Sequence, residues 1–107
     1  MITVEGTNIT YTKDDNFNWT LPVEGALADS FLRFIISSKN TDNVESDYTV
    51  DNTYQINNEK NIVTLELSDS DIESLLIGDY YYKMIYIQPT GEKTTIKSGQ
   101  FKVKWGA

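Results

Sequence analysis

LLIGDYYYKMIYIQPTGEKTTIKSGQFKV, the stretch from Leu75 to Val103, decides the fold. From Asp79 to Gln88 the side chains alternate, with Tyr80, Tyr82, Met84 and Tyr86 on one side and Tyr81, Lys83, Ile85 and Ile87 on the other. That is the two-residue period of an extended strand, not the 3.6-residue period of a helix. Gln88-Pro89-Thr90-Gly91 puts Pro and Gly where a type I turn uses them, so the chain returns into a second strand over 94–104. Phe101, Val103 and Trp105 alternate there, and Gly99 marks a bulge or a close backbone approach. Leu75, Gly78 and Tyr80 form a corner at the entrance. A Tyr two residues after the Gly that ends a corner segment turns its ring inward and bonds backbone near Leu75 or Leu76, the tyrosine corner of sandwich domains.

Working backwards, Ile72, Leu75 and Leu76 are spaced for one side of a short helix over 68–76, started by a capping pattern of Ser70 with Glu73 and ended by Gly78. Val63, Leu65 and Leu67 fall on one face of a strand, and the run Asn57-Asn58-Glu59-Lys60-Asn61 joins it to the segment 54–56 as a hairpin whose Asn residues accept positive φ. The polar, acidic region 38–51 reads as a long loop or a weak edge strand. Phe31, Leu32, Phe34, Ile35 and Ile36 make an almost unbroken apolar run, as in a central strand covered on both faces. Phe17, Trp19 and Leu21 alternate as a half-buried strand, and residues 2–11 form an opening strand interrupted at Gly6. About seven strands and one helical turn before the penultimate strand describe an all-β, immunoglobulin- or fibronectin-III-like antiparallel sandwich, a single domain over 1–107.

The composition narrows the chemistry. The chain has no Cys, which excludes disulfides, thiolate metal sites and thiol nucleophiles, and no His, which removes the usual general base and the commonest metal ligand. Catalysis is therefore not expected, and no cofactor is implied. The net charge of -7, with eight acids against three bases in the first 50 residues, repels phosphate backbones and argues against nucleic acid as a partner. Apolar runs are only a few residues long, so no membrane span is expected, and Met1-Ile2-Thr3-Val4 lacks the features of a signal peptide. Synthesis in a cytoplasm follows as the expectation, under which the sequons at Asn8 and Asn18 carry no meaning.

Each candidate site has two readings. Asp69, Asp71 and Glu73 offer oxygen ligands at alternate positions, yet a calcium loop also needs a turn glycine and a distal bidentate acid, whereas acids in a first helical turn favour the helix dipole. Asp14 with Asp15, and Asp42, Glu45 and Asp47, read as solvated loops. A carboxylate pair for glycoside hydrolysis is not singled out by any spacing. The aromatic residues Tyr11, Tyr48, Tyr54, Tyr81, Tyr86 and Trp105 suit either sugar stacking or packing in cores and interfaces. Among these, Tyr81, Tyr86 and Trp105 are the leading candidates for an interface or a sugar-stacking surface.

Taken together, Ile9, Tyr11, Asp14, Asp15 and Phe17 at the start, then Val63, Leu65 and Ser68, then Leu75, Gly78, Tyr80 and Tyr82, then Gly91, Ser98, Gly99, Phe101 and Val103, resemble the Ig-like domains of phage tail and baseplate proteins. The N-terminal domain of the baseplate upper proteins of siphophages of Gram-positive bacteria is the form most similar in these motifs. The resemblance implies a non-enzymatic structural protein of the virion that docks against other virion structural proteins, in several copies or as a homo-oligomer. The alternative is a carbohydrate-binding module for host cell-surface polysaccharide.

Overall fold

The computed structural model describes residues 2–13, 17–23, 25, 27–38, 48–57 and 59–105, with Tyr48 as backbone only. Eight strands and one helix are formed among them: β1 (Ile2–Glu5), β2 (Asn8–Thr12), β3 (Asn18–Pro22), β4 (Phe31–Ser37), β5 (Tyr48–Gln55), β6 (Ile62–Glu66), α1 (Asp69–Ser74), β7 (Gly78–Ile87) and β8 (Lys93–Lys104). The count exceeds seven because the opening segment breaks at Gly6, whose φ of 61° reverses the chain and pairs β1 with β2.

The strands form a six-stranded sheet, ordered β1-β2-β8-β7-β4-β5, facing a two-stranded sheet of β3 and β6. All pairings are antiparallel except β2 with β8, which is parallel. This is the β-sandwich expected from the alternation, corrected in one respect: the expected antiparallel order is broken by the parallel pairing of β2 with β8, which follows once Gly6 reverses the chain. Between the sheets lie Leu32, Phe34 and Ile36 of β4, Tyr80, Tyr82 and Met84 of β7, Phe101 and Val103 of β8, and Val63 and Leu65 of β6. Burying a side chain of this size contributes about 1.5–3 kcal/mol. Phe17, just before β3, is the hub of the aromatic interior, with ring centroids 5.4 Å from Tyr11 in an edge-to-face arrangement and 5.9 Å from both Phe34 and Phe101.

β4 is central in its sheet, between β7 and β5, but its two faces differ. The inner face is sealed, whereas the outer face buries Ile35 and Ser37 and leaves Phe31 40% exposed. β5 is an edge strand. The expected hairpin between 54–56 and 62–67 is corrected: β5 pairs with β4 and β6 pairs with β3, so the turn crosses from one sheet to the other. Both strands must point their apolar residues at one core from opposite layers, which a flat hairpin does not allow. The turn chemistry survives, with a single bridge between Asn57 and Ile62, Asn61 at φ 54° and the Asn57 side chain accepting from the amides of Glu59 and Lys60.

The helix cap is also corrected. Ser68, not Ser70, is the N-cap, and Asp71, not Glu73, answers it: the Ser68 hydroxyl accepts from the Asp71 amide at 3.2 Å, and the Asp71 carboxylate accepts from the Ser68 amide. Ser68 has the extended backbone that a cap needs, while Ser70 is already helical. Leu75 closes the helix, and Gly78, at φ 151°, opens β7. At the far end of β7, the amide of Gly91 donates to the carbonyl of Gln88 at 2.8 Å, closing the turn into β8 with Gly91 at φ 94°.

Candidate functional site

Four tyrosine hydroxyls latch the sandwich together. Tyr80 folds inward at the start of β7, and its hydroxyl accepts from the amide of Leu76 at 3.0 Å. The partner is thus an N–H on the corner itself, not a buried carbonyl. Tyr82 reaches the β1–β2 turn and donates to the carbonyl of Thr7. The same carbonyl lies over Gly99, the cross-strand partner of Tyr82, where an added Cβ would stand 2.2 Å from the oxygen. Gly99 is therefore a close-approach glycine, and the irregularity of this strand pair falls instead between Met84 and Ile85. Loss of water around the Tyr82 phenol pushes it up to about 12.

Tyr54 closes the side of the sandwich where β5 meets β6. Its hydroxyl donates to the carbonyl of Glu66 and accepts from the Asn52 amide nitrogen at 3.2 Å, and that nitrogen also donates to Asp71 of α1 at 2.9 Å. Burial raises the Tyr54 phenol, against the opposing pull of the Asn52 hydrogen bond. Tyr86 is fixed in the same manner at the other end of β7: its hydroxyl accepts from the Leu27 amide at 3.0 Å and meets the Ser30 hydroxyl at 3.0 Å.

These latches separate the three residues that looked like one surface. Tyr86 is half-buried against the core and its hydroxyl is engaged within the chain. Tyr81 lies an odd number of residues away on the same strand, so it projects from the outer face of the six-stranded sheet, half-buried opposite Ser37 and Gln100. Trp105 stands just past β8 rather than within it and is 76% exposed. Of these three, only Trp105 presents an open ring. Trp19, by contrast, is half-buried, with the Lys97 ammonium 5.3 Å from its ring centre.

The carboxylates disperse in a similar way. Asp71 serves the cap and Asn52, while Asp69 and Glu73, one helical turn apart, lie on a different face of the helix from Asp71. Among the described residues no three Asp or Glu side chains come close enough to hold a metal ion. Asp14, Asp15, Asp42, Glu45, Asp47 and the side chain of Tyr48 lie outside the described residues.

What the sequence reading missed is the company Trp105 keeps. Leu76, assigned above to the inner side of the helix, is 69% exposed, and Ile77 is 47% exposed. Gly78 pairs with Val103 at the end of the β7–β8 ladder, so Leu76 and Ile77 come just before its last pair on one strand and Trp105 two residues after it on the other. Beside the last pair of the ladder, Asp79 and Lys102 face each other across the strands at 4.0 Å, and the Lys13 ammonium donates to the Leu75 carbonyl at 2.7 Å. The available signal was two consecutive apolar residues between a helix end and a strand-opening glycine, where Leu75 alone occupies the inward position. A scan against protein-family models, a search of curated proteins and a search of solved structures each return no match to this chain.

Proposed function

We propose that this chain is a non-enzymatic structural protein of a phage or prophage virion, of the tail or baseplate type, that acts as a rigid docking module for other virion structural proteins. The observation that supports the reading is that Leu76, Ile77 and Trp105, all within two residues of the last β7–β8 pair, are three of the seven large hydrophobic side chains that stay exposed among the described residues. Large apolar side chains left in water at one end of a packed domain favour a macromolecular contact there. The scaffold behind it is well satisfied: among the described residues every buried side-chain nitrogen or oxygen has a hydrogen-bond partner. The likeness of Gly78, Tyr80, Tyr82, Gly99 and Phe101 to tail Ig-like domains supplies the virion setting.

The sugar-binding alternative is weaker on this geometry, because stacking platforms need open rings and only one of the three candidates has one. Antibody raised against the chain should label phage or tail-like particles released from cells that carry the gene, and the neighbouring reading frames should encode tail or capsid proteins. Particles that lack the chain, or a glycan array that binds it and stops binding after Trp105→Ala, would overturn the proposal.

A further inference from the structure

We propose that the free edge of β3 accepts an extended segment of another polypeptide, which joins the two-stranded sheet as its third strand. The site is separate from Leu76, Ile77 and Trp105 and does not depend on their role.

The hydrogen-bond phase of the β3–β6 pair is fixed at both ends. The Leu67 amide donates to the Phe17 carbonyl at 3.3 Å and the Val23 amide to the Asn61 carbonyl at 2.7 Å, in the same register that joins Trp19 to Leu65 and Leu21 to Val63. Bonded and non-bonded pairs alternate along an antiparallel ladder. Trp19 and Leu21 therefore turn their backbone groups to β6, while the N–H and C=O of Asn18 and Thr20 and the C=O of Pro22 point away from it. Among the described residues no strand takes them up. The opposite edge, on β6, is occupied at both ends: Ile62 exchanges backbone bonds with Asn57, and the Glu66 carbonyl accepts from Tyr54. Charged residues commonly guard a free edge. β1 ends in Glu5 and β5 carries Asp51, whereas β3 has no charge and only the terminal Pro22 to blunt it.

The position beside β3 also has a floor. β6 lies on the β5 side, tied through Tyr54, and β3 lies over β8, whose Lys97 meets the Trp19 ring. The six-stranded sheet continues past β8 into β2 and β1. Strands within a sheet are about 4.8 Å apart, so one more strand beyond β3 lies over β2 and reaches towards β1. Val4 pairs with Ile9 and Ile2 with Tyr11, and because Ile9 and Tyr11 are buried in the core, Val4 and Ile2 stand on the same inner face. Val4 is 39% exposed and Ile2 half-buried. An added strand with apolar side chains at alternate positions covers both while its main chain bonds Asn18 and Thr20. The net charge of -7 favours a donor that bears Lys or Arg, and it opposes the pairing of β3 edges from two copies.

Amide hydrogen exchange of the full chain, followed by NMR, tests the proposal. The probe is a synthetic peptide in which Val and Thr alternate between terminal Lys residues. At saturating peptide, exchange at Asn18 and Thr20 should slow by about tenfold or more, and a peptide of the same composition with its Val residues in one block should leave it unchanged. Only one set of alternate peptide amides can meet β3. Of two peptides N-methylated on odd or on even amides, one should keep the protection and the other lose it. Val4→Ser, with an unchanged thermal midpoint, should weaken binding by roughly fivefold. No slowing at millimolar peptide, equal slowing by the block peptide, or protection along β1 or β5 in place of β3 would each overturn the proposal. So would protection of Asn18 and Thr20 that rises with chain concentration in the absence of peptide, because a second copy would then fill the edge. The readout is a peptide on the isolated chain, so its failure and a failure of particle labelling are separate results.

Discussion

The aromatic residues on β7 and the single ring just past the end of β8 belong to one strand pair, yet they have opposite fates. Tyr80, Tyr82 and Tyr86 turn inward, and each hydroxyl finds a partner in another segment of the chain, with Tyr54 doing the same on β5. Trp105, with Leu76 and Ile77 beside it, faces water. Among the described residues the tyrosines therefore serve mostly architecture, and the most exposed ring, Trp105, lies at one end. Aromatic abundance alone does not locate a binding face. The polar tip of each ring does, because a hydroxyl already bonded to backbone is a ring already in use.

The sharpest way to break this contrast is to disturb the inward side where it is tightest. Gly99→Ala forces a methyl group into the carbonyl of Thr7, which is backbone and cannot rotate away. The β1–β2 turn must lift and Tyr82 loses its acceptor, for a cost of about 2–4 kcal/mol, read as a lower denaturant midpoint. Tyr82→Phe removes only the hydrogen bond and should cost about 1–2 kcal/mol by the same measurement.

The same variant carries a pH signature. An unfolded tyrosine titrates near 10, while the folded Tyr82 is held up at about 12. The folded state thus keeps a proton that the unfolded chain gives up, so stability from this group is complete below about pH 10 and declines as pH rises towards 12. The raised Tyr54 phenol acts in the same direction. A thermal midpoint that falls across this window in the parent chain and falls less in Tyr82→Phe is the expected result.

Tyr80→Phe should be milder, at about 0.5–1.5 kcal/mol, because the orphaned amide belongs to Leu76, an exposed residue that water can reach. At the outer end the expected effect on stability is smallest. Trp105→Ala should shift the denaturation free energy by no more than about 0.5 kcal/mol, since a side chain already in solvent gives up little on truncation.

The difference between the two regions also explains what was legible in the sequence. Alternation in Tyr80, Tyr82, Met84, Phe101 and Val103 records which side faces the core, so the layers, the turn at Gly91 and the two-sided strand β7 could be read directly. Pairing partners could not. Whether the segment ending at Gln55 joins β6 or β4 depends on contacts between distant residues, and the hairpin reading failed for that reason. Two overlapping cap patterns, Ser68 with Asp71 and Ser70 with Glu73, are equivalent as spacing and are separated only by which Ser keeps an extended backbone. The close approach at Gly99 was visible as a glycine in a strand, but its cause, the Thr7 carbonyl, lies 92 residues away. Trp105 was placed in the pattern of Phe101 and Val103 because periodicity does not announce where a ladder stops.

The central claim is that the latched rings hold the fold and the open end makes the contact. It is tested most directly by measuring folding free energy and incorporation into particles together for Tyr82→Phe and Trp105→Ala. The account predicts a crossed result: Tyr82→Phe is less stable but still incorporated, and Trp105→Ala is as stable as the parent but absent from particles. Loss of incorporation in Tyr82→Phe at full stability, or unfolding of Trp105→Ala with incorporation intact, would contradict it.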